Sequence, residues 1–209
     1  MELNDKIVVV TGGGSGIGEG LCRAFIKEGA KCVVVADIIE ADAKRVADDI
    51  GAVAKTLDVT DEAQVKALIE EVESNIGPID LFCSNAGIMC IDPTHAASSS
   101  NEDWDKIWQV NVMAHVYAAR HMLPRMLERG SGYLLNTASA AGLLSQIASA
   151  PYSTTKHAAI GFAESLSIAH GDQGIGVSVI CPQTVRSKMT ENVEGDLADV
   201  AGGDGMLEP

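Results

Sequence analysis

Six short apolar runs recur along the chain, at 6–13 (KIVVVTGG), 31–37 (KCVVVAD), 52–58 (AVAKTLD), 79–84 (IDLFCS), 132–138 (GYLLNTA) and 176–182 (GVSVICP). Each is apolar without strict alternation, the pattern of a strand buried on both faces. Helical periodicity fills the intervals. The first helix is expected from Ser15 to about Gly29, with Ile17, Leu21, Ala24, Phe25 and Glu28 marking its faces, and the second spans Glu40 to Ile50. A third covers 60–77 with Thr60 as its N-cap. A long helical stretch runs from about Asn101 to Arg129, with Pro124 expected to interrupt it, and a further helix lies near 151–171. Strands of this kind alternating with amphipathic helices predict an α/β fold: a doubly wound parallel sheet of Rossmann type, about six strands with helices on both faces.

Composition narrows the partners. A net charge of −14 repels nucleic acid and anionic membrane surfaces, so neither is expected as a partner. The five cysteines (Cys22, Cys32, Cys83, Cys90, Cys181) are odd in number and include no C-x-x-C pair, which predicts reduced, mostly buried thiols and a cytoplasmic protein. The N-terminal MELNDK is charged and reads as the approach to a strand rather than a signal peptide. No apolar run reaches the length of a membrane span. The five histidines share no metal spacing, and no metal is expected. Trp104 and Trp108, at i and i+4, are read as helix packing, and NEDWDK as a solvated helix start.

Two segments carry candidate chemistry. The loop VTGGGSGIGEG joins the first strand to the first helix and spaces its glycines as G-x-x-x-G-x-G, with Gly12, Gly16 and Gly18 at those places. Glycines there let the backbone approach a pyrophosphate, while the helix N-terminus offers free N–H groups and partial positive charge. Asp37 ends the second strand. An acidic residue there either receives the ribose hydroxyls of a dinucleotide, repelling a 2′-phosphate, or caps the following helix. With Ser15 in the loop and Ile38 after the aspartate, the first reading favours NAD over NADP. The second segment is APYSTTKHAAIGF, where Tyr152 and Lys156 lie four apart on one helical face. Their Cβ atoms are then about 5–6 Å apart.

Taken together, Thr11-Gly12-Gly13-Gly14-Ser15-Gly16-Ile17-Gly18, Asn85-Ala86-Gly87, Asn111, Ser139, Tyr152 and Lys156 resemble the classical short-chain dehydrogenases/reductases, in the family's order over residues 1 to about 190. The resemblance implies a catalytic set of Asn111, Ser139, Tyr152 and Lys156. It implies cofactor contacts at Gly12, Ser15, Gly16, Ile17, Gly18 and Asp37. Asp58 and Val59 would meet the adenine, and Asn85, Ala86 and Gly87 would run beside the adenosine ribose. Tyr152, Lys156, Pro182 and Val185 complete the set, Val185 lying where the family's backbone meets the nicotinamide carboxamide. Residues 1–190 would then form the dinucleotide-binding and catalytic domain. Residues 191–209, with six acids and four glycines, read as an acidic C-terminal segment, either a mobile lid or a truncated end. Pro182-Gln183 stands where the family commonly has Pro-Gly, and Gln183 is a candidate substrate contact.

The expected reaction is hydride exchange between a nicotinamide and a secondary alcohol or ketone. A phenol with an ordinary pKa near 10 needs roughly 4 kcal/mol to exchange protons at neutral pH. A cation about 4 Å away at an effective dielectric near 20 supplies that much. Ile91, Leu143, Leu144, Ile147, Met189 and Val193 supply a mostly uncharged wall, so the substrate is expected to be uncharged and moderately apolar. The helices around 101–129 and 151–171 carry surplus apolar surface, and the resemblance implies a homodimer or homotetramer through them. A nucleotide-binding protein without turnover, sensing redox state or acting as a scaffold, is the alternative reading.

Overall fold

The computed structural model describes residues 1–92, 94–187, 189 and 207–209. Its strands are β1 (Ile7–Thr11), β2 (Cys32–Asp37), β3 (Val53–Thr56), β4 (Leu81–Ser84), β5 (Gly132–Thr137) and β6 (Ile175–Ile180). They form one parallel sheet in the order β3-β2-β1-β4-β5-β6. Valines fill both faces of the central strands because both are covered. Val8 and Val10 face α1 (Gly16–Lys27) and α2 (Glu40–Ile50), with Cys22, Phe25, Val46 and Cys83. Val9, Val34 and Phe82 face the other layer, where α3 (Glu62–Asn75), α5 (Ala114–Arg129) and α6 (Ala150–His170) contribute Ile69, Met122 and Leu166. The chain reverses direction across the sheet between β1 and β4, which opens a crevice at their C-terminal ends.

Several local expectations are corrected. Asp61, not Thr60, caps α3: its carboxylate accepts from the N–H groups of Ala63 and Gln64, while Thr60 bonds back to Asp58. On α1 the buried positions are Gly18, Cys22 and Phe25, and Ala24 is exposed. Ile107 is the buried anchor of α4 (Asn101–Trp108), whereas Trp108 is 38% exposed. Pro124 lies inside α5 without ending it. The 101–129 stretch changes character earlier, in a π-helical turn at Gln109–Met113. An inserted residue widens the helix there, and periodicity alone gives no sign of it. The five cysteines are unpaired, but only Cys22 and Cys83 are fully buried.

Candidate active site

The glycine loop is built by close packing. Gly12 has φ +63°, and a Cβ there would stand 2.9 Å from the Cα of Ala86. At Gly18 a Cβ would lie only 2.0 Å from the Gly12 carbonyl oxygen. No side chain fits at either position. Ser15 is the N-cap of α1 and makes no side-chain capping bond, which leaves the helix's first N–H groups without a side-chain acceptor. Asp37 sits across the loop: its carboxylate accepts from Gly14 N–H at 2.9 Å and from Ile39 N–H at 3.0 Å. It therefore holds the loop as well as facing it, and the cap of α2 is Ile39. Arg45, distant in sequence, donates to the Gly14 carbonyl at 2.7 Å and pairs with Glu19. The loop thus has a cation beside it that adjacency in sequence did not reveal.

The Asn85-Ala86-Gly87 segment follows β4 and is bracketed to its neighbours. Asn85 Nδ2 donates to the carbonyls of Thr11 and Gly12, and Asn85 Oδ1 accepts from the Thr137 hydroxyl at 3.0 Å. The Thr11 hydroxyl accepts from the N–H groups of Asn85 and Ala86 and donates to the Cys83 carbonyl. The Asn85 side chain is fully engaged in joining the ends of β1, β4 and β5. Thr11 and Thr137 are as much a part of this bracket as Asn85, and Thr137 carried no signal in the sequence. On the far side Asp58 closes a turn onto Thr60, and Val59 is buried. The Pro182 carbonyl accepts from Ala140 N–H, tying the chain after β6 to the segment after β5. Residues after it run back over the loop, with Ser187 against Gly16. Val185 pairs with Leu207. Most of the 191–209 segment, including Val193, lies outside the described residues; Leu207 to Pro209 pack against Val185 and Gly20.

Beyond the bracket, four polar residues from three elements meet. Asn111 sits in the π turn, wholly buried; its Oδ1 accepts from Ile88 N–H at 2.9 Å, and its Nδ2 donates to the Ile88 carbonyl and to Thr155 Oγ1. Ser139 follows β5, and its hydroxyl accepts from Ala141 N–H. Tyr152 and Lys156 lie in the first turns of α6, both buried, with Nζ 5.5 Å from the phenol ring centroid. Lys156 Nζ donates to the Thr137 carbonyl at 3.0 Å. Gly87 stands between: a Cβ there would be 3.3 Å from both Asn111 Oδ1 and Lys156 Nζ.

Electrostatics here differ from the simple expectation. Burial holds the Tyr152 phenol above its ordinary value, with the Ser139 hydroxyl pulling it back. Burial also lowers the Lys156 ammonium to about 8. Desolvation is the leading cause at both groups, because both charged forms lose water.

The match to known proteins decides what this arrangement belongs to. The short chain dehydrogenase family model matches residues 6–198. The chain belongs to the short chain dehydrogenase family. It is an oxidoreductase fold of that family, 32% identical over 206 residues to a meso-2,3-butanediol dehydrogenase of Serratia marcescens, covering 95% of this chain and 79% of that one. It is 34% identical to a galactitol 2-dehydrogenase of Agrobacterium fabrum over 97% of this chain and 79% of the relative. A crystal structure of a short chain dehydrogenase/reductase from Burkholderia phymatum in complex with NAD superposes with a TM-score of 0.86 at 32% identity, covering 94% of this chain and 72% of that one. Among the described residues no His, Cys, Asp and Glu cluster could hold a metal, and no helix is long and apolar enough to cross a membrane.

Proposed function

We propose that this short chain dehydrogenase transfers hydride between NAD and a secondary alcohol or ketone. The observation that carries the reading is the burial of Tyr152 beside Lys156, with Gly87 of the segment after β4 against the lysine. The cradle fits a dinucleotide: Gly12 and Gly18 leave room for close backbone approach, α1 presents its uncapped N-terminus, and Gly87 leaves space beside Lys156. The nicotinamide supplies the hydride chemistry when bound. In oxidation Tyr152 takes the proton of the substrate hydroxyl, and in reduction it returns it. Ser139 donates to the substrate oxygen as negative charge develops there. Lys156, one turn on, supplies the charge that offsets the burial of the phenolate. Asn111 braces the Ile88 backbone over the site through both its amide atoms.

Asp37 supports a preference for NAD, since a carboxylate at the end of β2 repels a 2′-phosphate. Arg45 reaches the Gly14 carbonyl of this loop, and its pairing with Glu19 takes up its charge. The substrate is uncharged and moderately apolar. Leu143, Leu144 and Ile147 are 62–78% exposed on a loop whose backbone is pinned at Gln146 to Ser153 and at Ala148 to Asp92. Their apolar faces therefore turn outward beside the tyrosine. Five unpaired thiols fit a reducing, cytoplasmic setting. Val116, Leu123, Leu127, Phe162 and Leu166 line an apolar groove between α5 and α6, which a second copy of the chain would cover. A homodimer or homotetramer through this face predicts that Leu123→Glu shifts the species seen by analytical ultracentrifugation to the monomer.

The decisive experiment follows nicotinamide absorbance with NAD or NADP and a panel of secondary alcohols. Turnover is expected with NAD, and Tyr152→Phe is expected to lower kcat by about 100- to 10,000-fold while nucleotide binding persists. Full activity in Tyr152→Phe rejects the mechanism. Nucleotide binding without turnover on any alcohol favours the sensing or scaffolding role.

A further inference from the structure

Below the tyrosine–lysine pair lie two buried polar groups that the reaction scheme leaves unused. His115 in the first turn of α5 and Asn136 on β5 are 2% and 4% exposed, and His115 Nδ1 lies 2.9 Å from Asn136 Oδ1. Their outer atoms, His115 Nε2 and Asn136 Nδ2, have no hydrogen-bond partner. Turning the amide over does not remove the deficit. With Asn136 accepting from Nδ1–H, an imidazole lone pair and the amide NH2 group remain; with the amide reversed, an imidazole N–H, the second amide N–H and the amide carbonyl remain. In both cases the pair offers donors and an acceptor together in the protein interior. Buried polar groups are almost always paired, and the usual partner where protein supplies none is water, which is both donor and acceptor.

The location ties this pair to the site. His115 lies four residues after Asn111, and Asn136 precedes Thr137, whose carbonyl takes one N–H of Lys156. The ammonium has three N–H groups and needs acceptors for the others. Burial together with the nearby Lys156 charge lowers the His115 pKa to about 4, so the imidazole is neutral near pH 7 and does not add a second cation. The titratable groups around Lys156 are His115, Tyr152 and Cys181, and β5 contributes none that face it. The carboxylates of α3 that reach α5, Glu62, Glu70 and Glu73, pair with Arg120, His121, Arg125 and Arg129 farther along that helix.

We infer that His115 and Asn136 form a water-binding site beneath Lys156, and that the water held there accepts from the lysine ammonium. The water takes the Asn136 amide N–H and one Lys156 N–H on its lone pairs and donates to His115 Nε2. The two residues are thus positioning residues: they touch neither substrate nor nucleotide, but they supply an acceptor that favours the charged lysine. This second half rests on the proposed dehydrogenase reading; the water site itself does not.

The test pairs a structural readout with a kinetic one. In the wild-type protein, water-selective NMR should show magnetisation transfer from a long-lived water to the His115 ring and the Asn136 amide, and its absence overturns the site. The double variant His115→Leu/Asn136→Leu removes both unpaired atoms at once and should melt close to wild type. Its alkaline-rising limb for alcohol oxidation should move about one pH unit upward, because the lysine charge has lost an acceptor. His115→Gln keeps a donor and an acceptor and should restore the limb. An unmoved limb in a well-folded double variant reduces the pair to a structural role and overturns the positioning claim. Should wild type oxidise no alcohol at any pH, the enzymatic reading fails, and the water transfer alone decides the site.

Discussion

Two largely buried polar clusters lie one residue apart on β5 and follow opposite rules. In the Thr11–Asn85–Thr137 bracket the Asn85 amide and both threonine hydroxyls are paired, within 3.0–3.3 Å, and the cluster stitches three strand ends together. Beneath Tyr152 the partners are incomplete: a buried ammonium carries one bond to Thr137, and a histidine and an asparagine keep unpaired atoms. Paired polar groups in the interior give rigidity at little net cost, whereas underpaired ones cost stability and keep their capacity to bind something else. The contrast separates scaffold from chemistry more sharply than exposure does, since Thr11 and Thr137 are about as buried as His115 and Asn136.

Substitutions on the two sides should therefore differ in sign. The largest loss is expected for Gly18→Ala, whose new Cβ has backbone 2.0 Å away. It should cost about 3 kcal/mol or more in urea unfolding and abolish nucleotide binding, because the loop cannot keep its path. Lys156→Met should act the other way on stability while removing turnover. The folded pKa of about 8 lies below the ordinary value of 10.5, so the native state holds the proton less firmly than the unfolded chain. The cost is fully present below pH 8, and the wild type gains stability as pH rises from about 8 to 10.5. The methionine variant should be more stable by roughly 1–3 kcal/mol at pH 7, with the advantage shrinking across that window in thermal melts. A smaller effect is expected from Thr137→Val, which leaves Asn85 Oδ1 without its donor. A loss of about 1 kcal/mol and a Tm lower by a few degrees would be measured, with the pH dependence of stability unchanged. A stabilised Thr137→Val or a destabilised Lys156→Met at neutral pH would erase the distinction between the clusters.

Much of this was legible in the chain itself. Runs of valine with no polar face require a sheet covered twice, and their alternation with amphipathic helices leaves a doubly wound parallel sheet as the economical solution. Gly12, Gly16 and Gly18 after the first strand, and Tyr152 four before Lys156, are local patterns, so adjacency in sequence was enough to find them. The helix cap at Asp61 was missed by one residue because Thr60 and Asp61 are both capping types, and only the hydrogen bonds choose between them.

Tertiary structure alone decided the rest. The π turn that aims Asn111 at Ile88 follows from packing against a segment 23 residues away, and no periodicity announces it. Arg45 reaches Gly14 across 31 residues, and Thr137 reaches Asn85 across 52. The acidity of the phenol and the ammonium could not be read from their spacing, since spacing fixes their mutual distance whereas burial fixes how much water each must lose. The chain's own order thus determined which groups would meet within a turn of helix, and the fold determined the dielectric in which they meet.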